Sequence, residues 1–255
     1  MSQPIEMRAQ DPHPEGLSSA QERLADLLFT TKTVAPVRRR TTNPDGSFSF
    51  EKVSRPTSPV DFAQPGEFAL KIHETRPDAP LSPIYVNLRE MPEELVDQVG
   101  VVLAEQTVKD EGKPDFSTGI PKAGVSLAKA YAKHSGIPYI EVFGKEEGSD
   151  GKRSILAKPD VEGKGKSIRL IDDLATHGET KIEADEVARE MGFEVADVTV
   201  VVDRQQGAAQ ELEEAGIKFR AAITIDQLLK YGVRKGNITK EQYEAIQAYF
   251  TANAS

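Results

Sequence analysis

Ser167-Ile-Arg-Leu-Ile-Asp-Asp-Leu-Ala-Thr-His-Gly-Glu-Thr-Lys181 carries an apolar run into two carboxylates, then into a hydroxyl-glycine-hydroxyl turn, and then into a helical pattern. Ile168, Leu170 and Ile171 read as a short buried strand, and Ile182, Ala184, Val187 and Ala188 recur at helical spacing between Glu179 and Met191. The turn between them is the candidate site. A helix N-terminus offers unpaired backbone N–H groups and a positive dipole end to an anion, the Thr176 and Thr180 hydroxyls add donors, and Gly178 lets the chain approach closely. Asp172 and Asp173, just upstream, are placed to accept hydrogen bonds from ribose hydroxyls. The arrangement suits a sugar phosphate, with a helix-capping pair at a strand end as the plainer alternative.

Outward from this unit, strands are expected at Ile84 to Leu88, Asp115 to Gly119, Tyr139 to Phe143, Val198 to Val202 and Ile217 to Ile223. Helical stretches separate them, one opening at Pro92 and reaching about Lys109, since proline is tolerated at a first helical position. This alternation predicts an α/β fold, a mostly parallel central sheet flanked by helices. Ser19-Ala-Gln-Glu22 fits a capping box ahead of Leu24, Leu27 and Leu28, and Thr239-Lys-Glu-Gln242 fits a second ahead of Ile246, Tyr249 and Phe250. One domain is expected over residues 17–255, preceded by a flexible segment, because Met1 to Gly16 holds three prolines and scattered polar residues that bury little. Thr31 to Pro65 reads as a polar excursion in which Ser47-Phe-Ser-Phe50 alternates like one added strand, and Arg38-Arg-Arg40 as a solvated run. Residues 144–167 form a long polar stretch, and loops of that length inside compact domains are usually lids or disordered.

Composition narrows the class. With 255 residues, a formal net charge of -9 and no cysteine, the chain cannot use disulfides, thiolate nucleophiles or zinc-thiolate sites. The acidic balance disfavours nucleic acid as a partner. No apolar run is long enough to span a bilayer, and no basic start followed by an apolar block opens the chain, so no membrane is expected and the cytoplasm is the expected compartment. Gly119 and Gly124 stand at P-loop spacing, but Val125 occupies the position where that loop needs lysine, and no G-x-G-x-x-G follows a strand. What is left there is a turn rich in small residues with Lys122 beside it, able to offer N–H groups to a second anion, or else a plain helix-packing turn.

Two acids before Thr-x-Gly-x-Thr resemble the diphosphate-ribose signature of the type I phosphoribosyltransferases, and further segments narrow the resemblance to orotate phosphoribosyltransferases, from about Leu24 to the C-terminus. Phe68-Ala-Leu-Lys71 followed by Ser82-Pro-Ile-Tyr-Val-Asn-Leu-Arg89 is similar to that family's "F-x-L-K-S-G … S-P-x-Y" entry, with a longer spacer. Thr118-Gly-Ile-Pro-Lys-Ala-Gly-Val-Ser-Leu-Ala128 resembles its pyrophosphate loop, and Val200-Val-Val-Asp-Arg-Gln-Gln-Gly207 its strand-end "D-R-x-x-G", the most specific of the set.

The resemblance implies a small N-terminal hood over the sheet, a homodimer, and transfer of phosphoribosyl from 5-phosphoribosyl 1-diphosphate to orotate with magnesium riding on the diphosphate rather than in a fixed protein cage. It assigns Lys71, Lys122, Ala123, Asp172, Asp173, Leu174, Ala175, Thr176, His177, Gly178, Glu179 and Thr180 to the donor, and Tyr85, Val86, Thr176 and Arg204 to orotate. Arg204 would face the orotate carboxylate, a planar match that guanidinium makes well; a surface ion pair is the alternative. Lys145, with Asp172 and Asp173, carries the catalytic assignment. The family's basic "R-K-x-x-K-x-H-G" run is altered here: aligned on Lys145 and Gly151, it has Gly144, Gly148 and Asp150 where cations stand, with Lys152 and Arg153 adjacent. A preorganised cation on departing pyrophosphate contributes on the order of 3 kcal/mol, so the alteration keeps open another nucleobase acceptor or a non-catalytic sugar-phosphate-binding regulator. His177 is a second departure, its side chain either solvent-facing or adding charge near a 5-phosphate.

Overall fold

The computed structural model describes residues 16–68, 73, 75–89, 91–108, 113–147 and 153–252. Lys71, Gly148, Asp150, Gly151 and Lys152 lie outside them, as do residues 1–15 of the expected flexible segment and the side chains of Lys145 and Arg153.

Four strands, β5 (Phe116–Gly119), β8 (Lys166–Ala175), β9 (Phe193–Asp203) and β10 (Phe219–Thr224), form a parallel sheet in the order β10-β9-β8-β5. Alternation along β9 divides its side chains between two layers. Val201 joins the core made with α1 (Ser19–Thr30), α2 (Glu93–Val108), α3 (Gly124–Ser135) and α6 (Ile225–Lys235), through Leu28, Leu103, Leu127 and Leu228. Val198 and Val200 join the opposite core, with Ala184 and Ala188 of α4 (Glu179–Glu190) and Leu212 of α5 (Ala208–Glu214). Burial on both faces is why these strands read as near-continuous apolar runs. Helix α7 (Lys240–Ala252) closes the described chain, and the Thr239–Gln242 capping box is formed in both directions. At α1 the cap is Ser18 with Gln21, one residue earlier than the sequence pattern gave.

Four expectations need correction. The Tyr139 to Phe143 segment makes a single parallel bridge, Tyr139 to Ser117, before the chain turns away. Phe143 instead opens β6 (Phe143–Glu147), which pairs antiparallel with β7 (Arg153–Ala157), so much of the expected polar loop is a hairpin. Its alternation was hidden because Ile155 is buried in the second core while the adjacent Leu156, equally apolar, is exposed on the other face. The Thr31 to Pro65 excursion likewise holds two ten-residue strands, β1 (Thr33–Thr42) and β2 (Phe48–Thr57), followed by β3 (Val60–Phe62). The arginine run is part of β1 rather than a solvated run. The Arg38 and Arg40 guanidiniums lie 4.7 Å from the Phe50 and Phe48 ring centres, a cation-π contact that lets a polar strand cohere. Arg39 and Arg55 meet on the buried Glu67 carboxylate, which accepts from them at 3.3 and 2.6 Å and ties the hairpin to the body. β3 pairs with β4 (Ile84–Val86), a small antiparallel pair that carries Tyr85 and Val86.

Candidate active site

From β5 the chain steps to the Tyr139 bridge on one side and returns to β8 on the other, so the winding reverses between β5 and β8. Ligand crevices in open α/β sheets form at the carboxyl ends of strands beside such a reversal. Here a cavity of about 680 Å³ opens there. Tyr85, Val86, Lys122, Ala123, Asp172, Asp173, Leu174, Thr176, His177, Glu179, Thr180 and Arg204, twelve residues expected from sequence, line it together. β4 brings the first two, the turn before α3 brings Lys122 and Ala123, and the end of β8 brings the acids. Glycine makes the second turn possible. A Cβ at Gly124 would lie 2.1 Å from the Ile171 carbonyl oxygen, and one at Gly119 would lie 2.4 Å from the Gly124 carbonyl oxygen. The turn is therefore pressed against β8, and the packing role and the display of Lys122 are one geometry.

The two acids are not equivalent. Asp172 is buried, with Oδ1 accepting the Asp173 N–H at 2.9 Å and Oδ2 2.7 Å from the Lys181 Nζ. Asp173 has no ion pair among the described residues; burial first, and then the Asp172 charge, push its carboxyl up to about 6, while Lys181 and Arg89 oppose the rise. Arg204 follows Asp203 at the end of β9, its N–H bonded to the Ala175 carbonyl at 2.9 Å. Its guanidinium is half-buried, burial lowers its affinity for a proton, and Nε has no hydrogen-bond partner among the described residues. No surface ion pair among the described residues holds it.

Two residues assigned to the donor do not line the cavity. Ala175 is buried in the strand, where its carbonyl orients Arg204. The Gly178 amide donates to Glu211 Oε2 of α5 at 2.6 Å, so it is already occupied. His177 lines the cavity half-exposed, with Nδ1 3.2 Å from Glu211 Oε1. The main chain of Lys145 lies in β6, opposite Ile155.

A curated orotate phosphoribosyltransferase of Saccharolobus solfataricus is 30% identical over 177 residues, 68% of this chain and 86% of that protein. The chain belongs to the orotate phosphoribosyltransferase family. The Caenorhabditis elegans orotate phosphoribosyltransferase is 28% identical over 186 residues, covering 72% of this chain and 78% of the relative. The solved structure of Leishmania donovani UMP synthase superposes with a TM-score of 0.60 at 30% identity, over 76% of this chain but 39% of that longer one. No family model matches the chain.

For an orotate phosphoribosyltransferase family member, the cavity also contains Asn87, Leu88, Arg89, Pro121, Ser126 and Lys181, which sequence reasoning did not assign. Arg89 had a signal, a cation ending the Ser82 to Arg89 motif. So had Lys181, a lysine in the first turn of a helix, where the dipole disfavours it.

Proposed function

We infer that the protein transfers the phosphoribosyl group of 5-phosphoribosyl 1-diphosphate to orotate, forming orotidine 5'-phosphate and pyrophosphate. The observation that carries this is one cavity holding an acidic pair, one buried and one half-buried, two turns able to hold anions, and a half-buried guanidinium with one nitrogen lacking a partner among the described residues. An orotate carboxylate supplies the planar anion that Arg204 lacks, with Tyr85 and Val86 flanking the base. The ribose hydroxyls donate to Asp173, Thr176 to Thr180 hold the 5-phosphate, and Lys122 with Ala123 meets the diphosphate. When the orotate nitrogen bonds to the anomeric carbon and the bond to pyrophosphate oxygen breaks, the ribosyl group is transiently cationic, so these residues chiefly fix reactants and stabilise separating charge.

Magnesium, when bound, supplies positive charge to the leaving pyrophosphate. Asp173 fits beside such an ion carried on the substrate, as a carboxylate on the cavity wall without an ion pair among the described residues. Lys145 is assigned to the pyrophosphate by resemblance, and its place on a hairpin supports closure over the donor. The same resemblance supports a cytoplasmic homodimer, which light scattering checks. No helix among the described residues is long and apolar enough to cross a membrane.

The test is pyrophosphate release from the donor with orotate, uracil, adenine, guanine and hypoxanthine in parallel, with product identified by mass. Product from orotate alone is expected. Product from another base alone overturns the acceptor, and donor binding by calorimetry without product from any base makes the chain a regulator.

A further inference from the structure

We propose that Lys181 is a positioning residue of this active site: by pairing with Asp172 it fixes that carboxylate against the end of β8 and leaves Asp173 as the carboxylate that receives the ribose hydroxyl. The proposal rests on the transferase reading above and deepens it.

Lys181 is the third residue of α4, where a cation opposes the helix dipole and a neutral residue or an acid would be more stable. Its ammonium is nevertheless turned inward. Nζ donates to the Leu174 carbonyl at 2.7 Å and lies 2.7 Å from Asp172 Oδ2, and both side chains are 8% exposed. A buried ion pair is seldom worth more than apolar residues of the same volume, so stability alone gives little reason for it. The pair also lines the cavity. Each Asp172 oxygen thus has a protein donor before any substrate arrives, which leaves it less acceptor capacity than Asp173. Asp173, next along the strand, keeps its carboxylate for the ligand. The charged groups facing it are Asp172 on its own strand, Lys181 from α4 and Arg89 from the segment after β4, with Lys122 and His177 further around the same cavity. Without Lys181, two adjacent carboxylates would face a substrate that itself bears phosphates, and one of them would take up a proton at neutral pH.

The experiment measures the pH dependence of kcat/KM for the donor on the full chain, for the parent and for Lys181→Gln, Lys181→Arg and the double variant Asp172→Asn with Lys181→Gln. For Lys181→Gln we expect kcat/KM for the donor to fall at least about tenfold, KM for orotate to stay within about twofold, and the acidic limb to move up by about one pH unit. Lys181→Arg retains the parental limb. The double variant, with both buried charges removed, returns the limb to within about half a unit of the parent while binding the donor less tightly. A limb unmoved in Lys181→Gln, or as displaced in the double variant as in the single, overturns the proposal; if the single variant does not fold, an upward-displaced limb in the double variant does so alone. Donor affinity by calorimetry over the same pH range reads the limb without turnover. An inactive parent that binds the donor therefore counts against the transferase reading, while the presence or absence of the shift still decides Lys181.

Discussion

Asp173→Asn should stabilise the protein while disabling it, and only at neutral to alkaline pH. Burial and the neighbouring Asp172 raise the folded-state carboxyl from 3.8 to about 6. The folded state therefore binds this proton more tightly than the unfolded chain. Its stabilising effect is full below the unfolded value and is lost as the pH climbs through about 6. At ~1.4 kcal/mol per unit of pKa, keeping Asp173 ionised at pH 8 costs the fold about 3 kcal/mol, falling below ~1 kcal/mol at pH 4. Asparagine has the same shape and no charge to desolvate, so the variant should recover most of that at pH 8 and little at pH 4. Urea unfolding of parent and variant at both pH values, with equal m-values required, measures it. A gain equal at the two pH values, or a loss at pH 8, would refute the assignment of the strain to the Asp173 charge.

Arg204→Ala should raise KM for orotate roughly 10- to 100-fold, the loss of a charged hydrogen bond, with KM for the donor nearly unchanged; equal changes in both would remove its assigned role. Lys145→Ala should lower kcat by up to about 100-fold with both KM values within a few-fold, as for a cation acting on the leaving group, which single-turnover rates check. Gly124→Ala puts a Cβ 2.1 Å from the Ile171 carbonyl oxygen, a backbone atom that cannot swing aside, and should cost about 3 kcal/mol or more in thermal unfolding.

What could be read from sequence was whatever repeats on the scale of one element. β8, its diacid and α4 were legible because an apolar run, an acidic pair and a helical stripe follow one another without interruption. β1 and β7 were not, because their stability comes from partners across the sheet. Arg38 and Arg40 reach Phe50 and Phe48 on the other strand of a hairpin, and the alternation in β7 rests on the single buried Ile155. The site followed the same division. Twelve of the assigned residues met in one cavity, since the turns that carry them are local. Glu211 was missed because α5 brings it 33 residues along the chain to the Gly178 amide, and no local pattern announces that.

That long-range contact separates what responds to pH from what does not. The Gly178 amide, and then His177, hold the Glu211 carboxylate below its ordinary range. That bond clamps the back of the Thr176 to Thr180 turn, the side away from the cavity. Asp173 lies at the other extreme, its carboxyl pushed up to about 6 by burial and by Asp172. On the proposed assignment, in which Asp173 accepts from the ribose hydroxyls, acidification should lower donor affinity through the ribose side. Local rules are broken here by a lysine in the first turn of α4, by an acid beside a buried acid and by a guanidinium nitrogen without a partner among the described residues. In a chain otherwise consistent across levels, such violations mark where a ligand completes the structure.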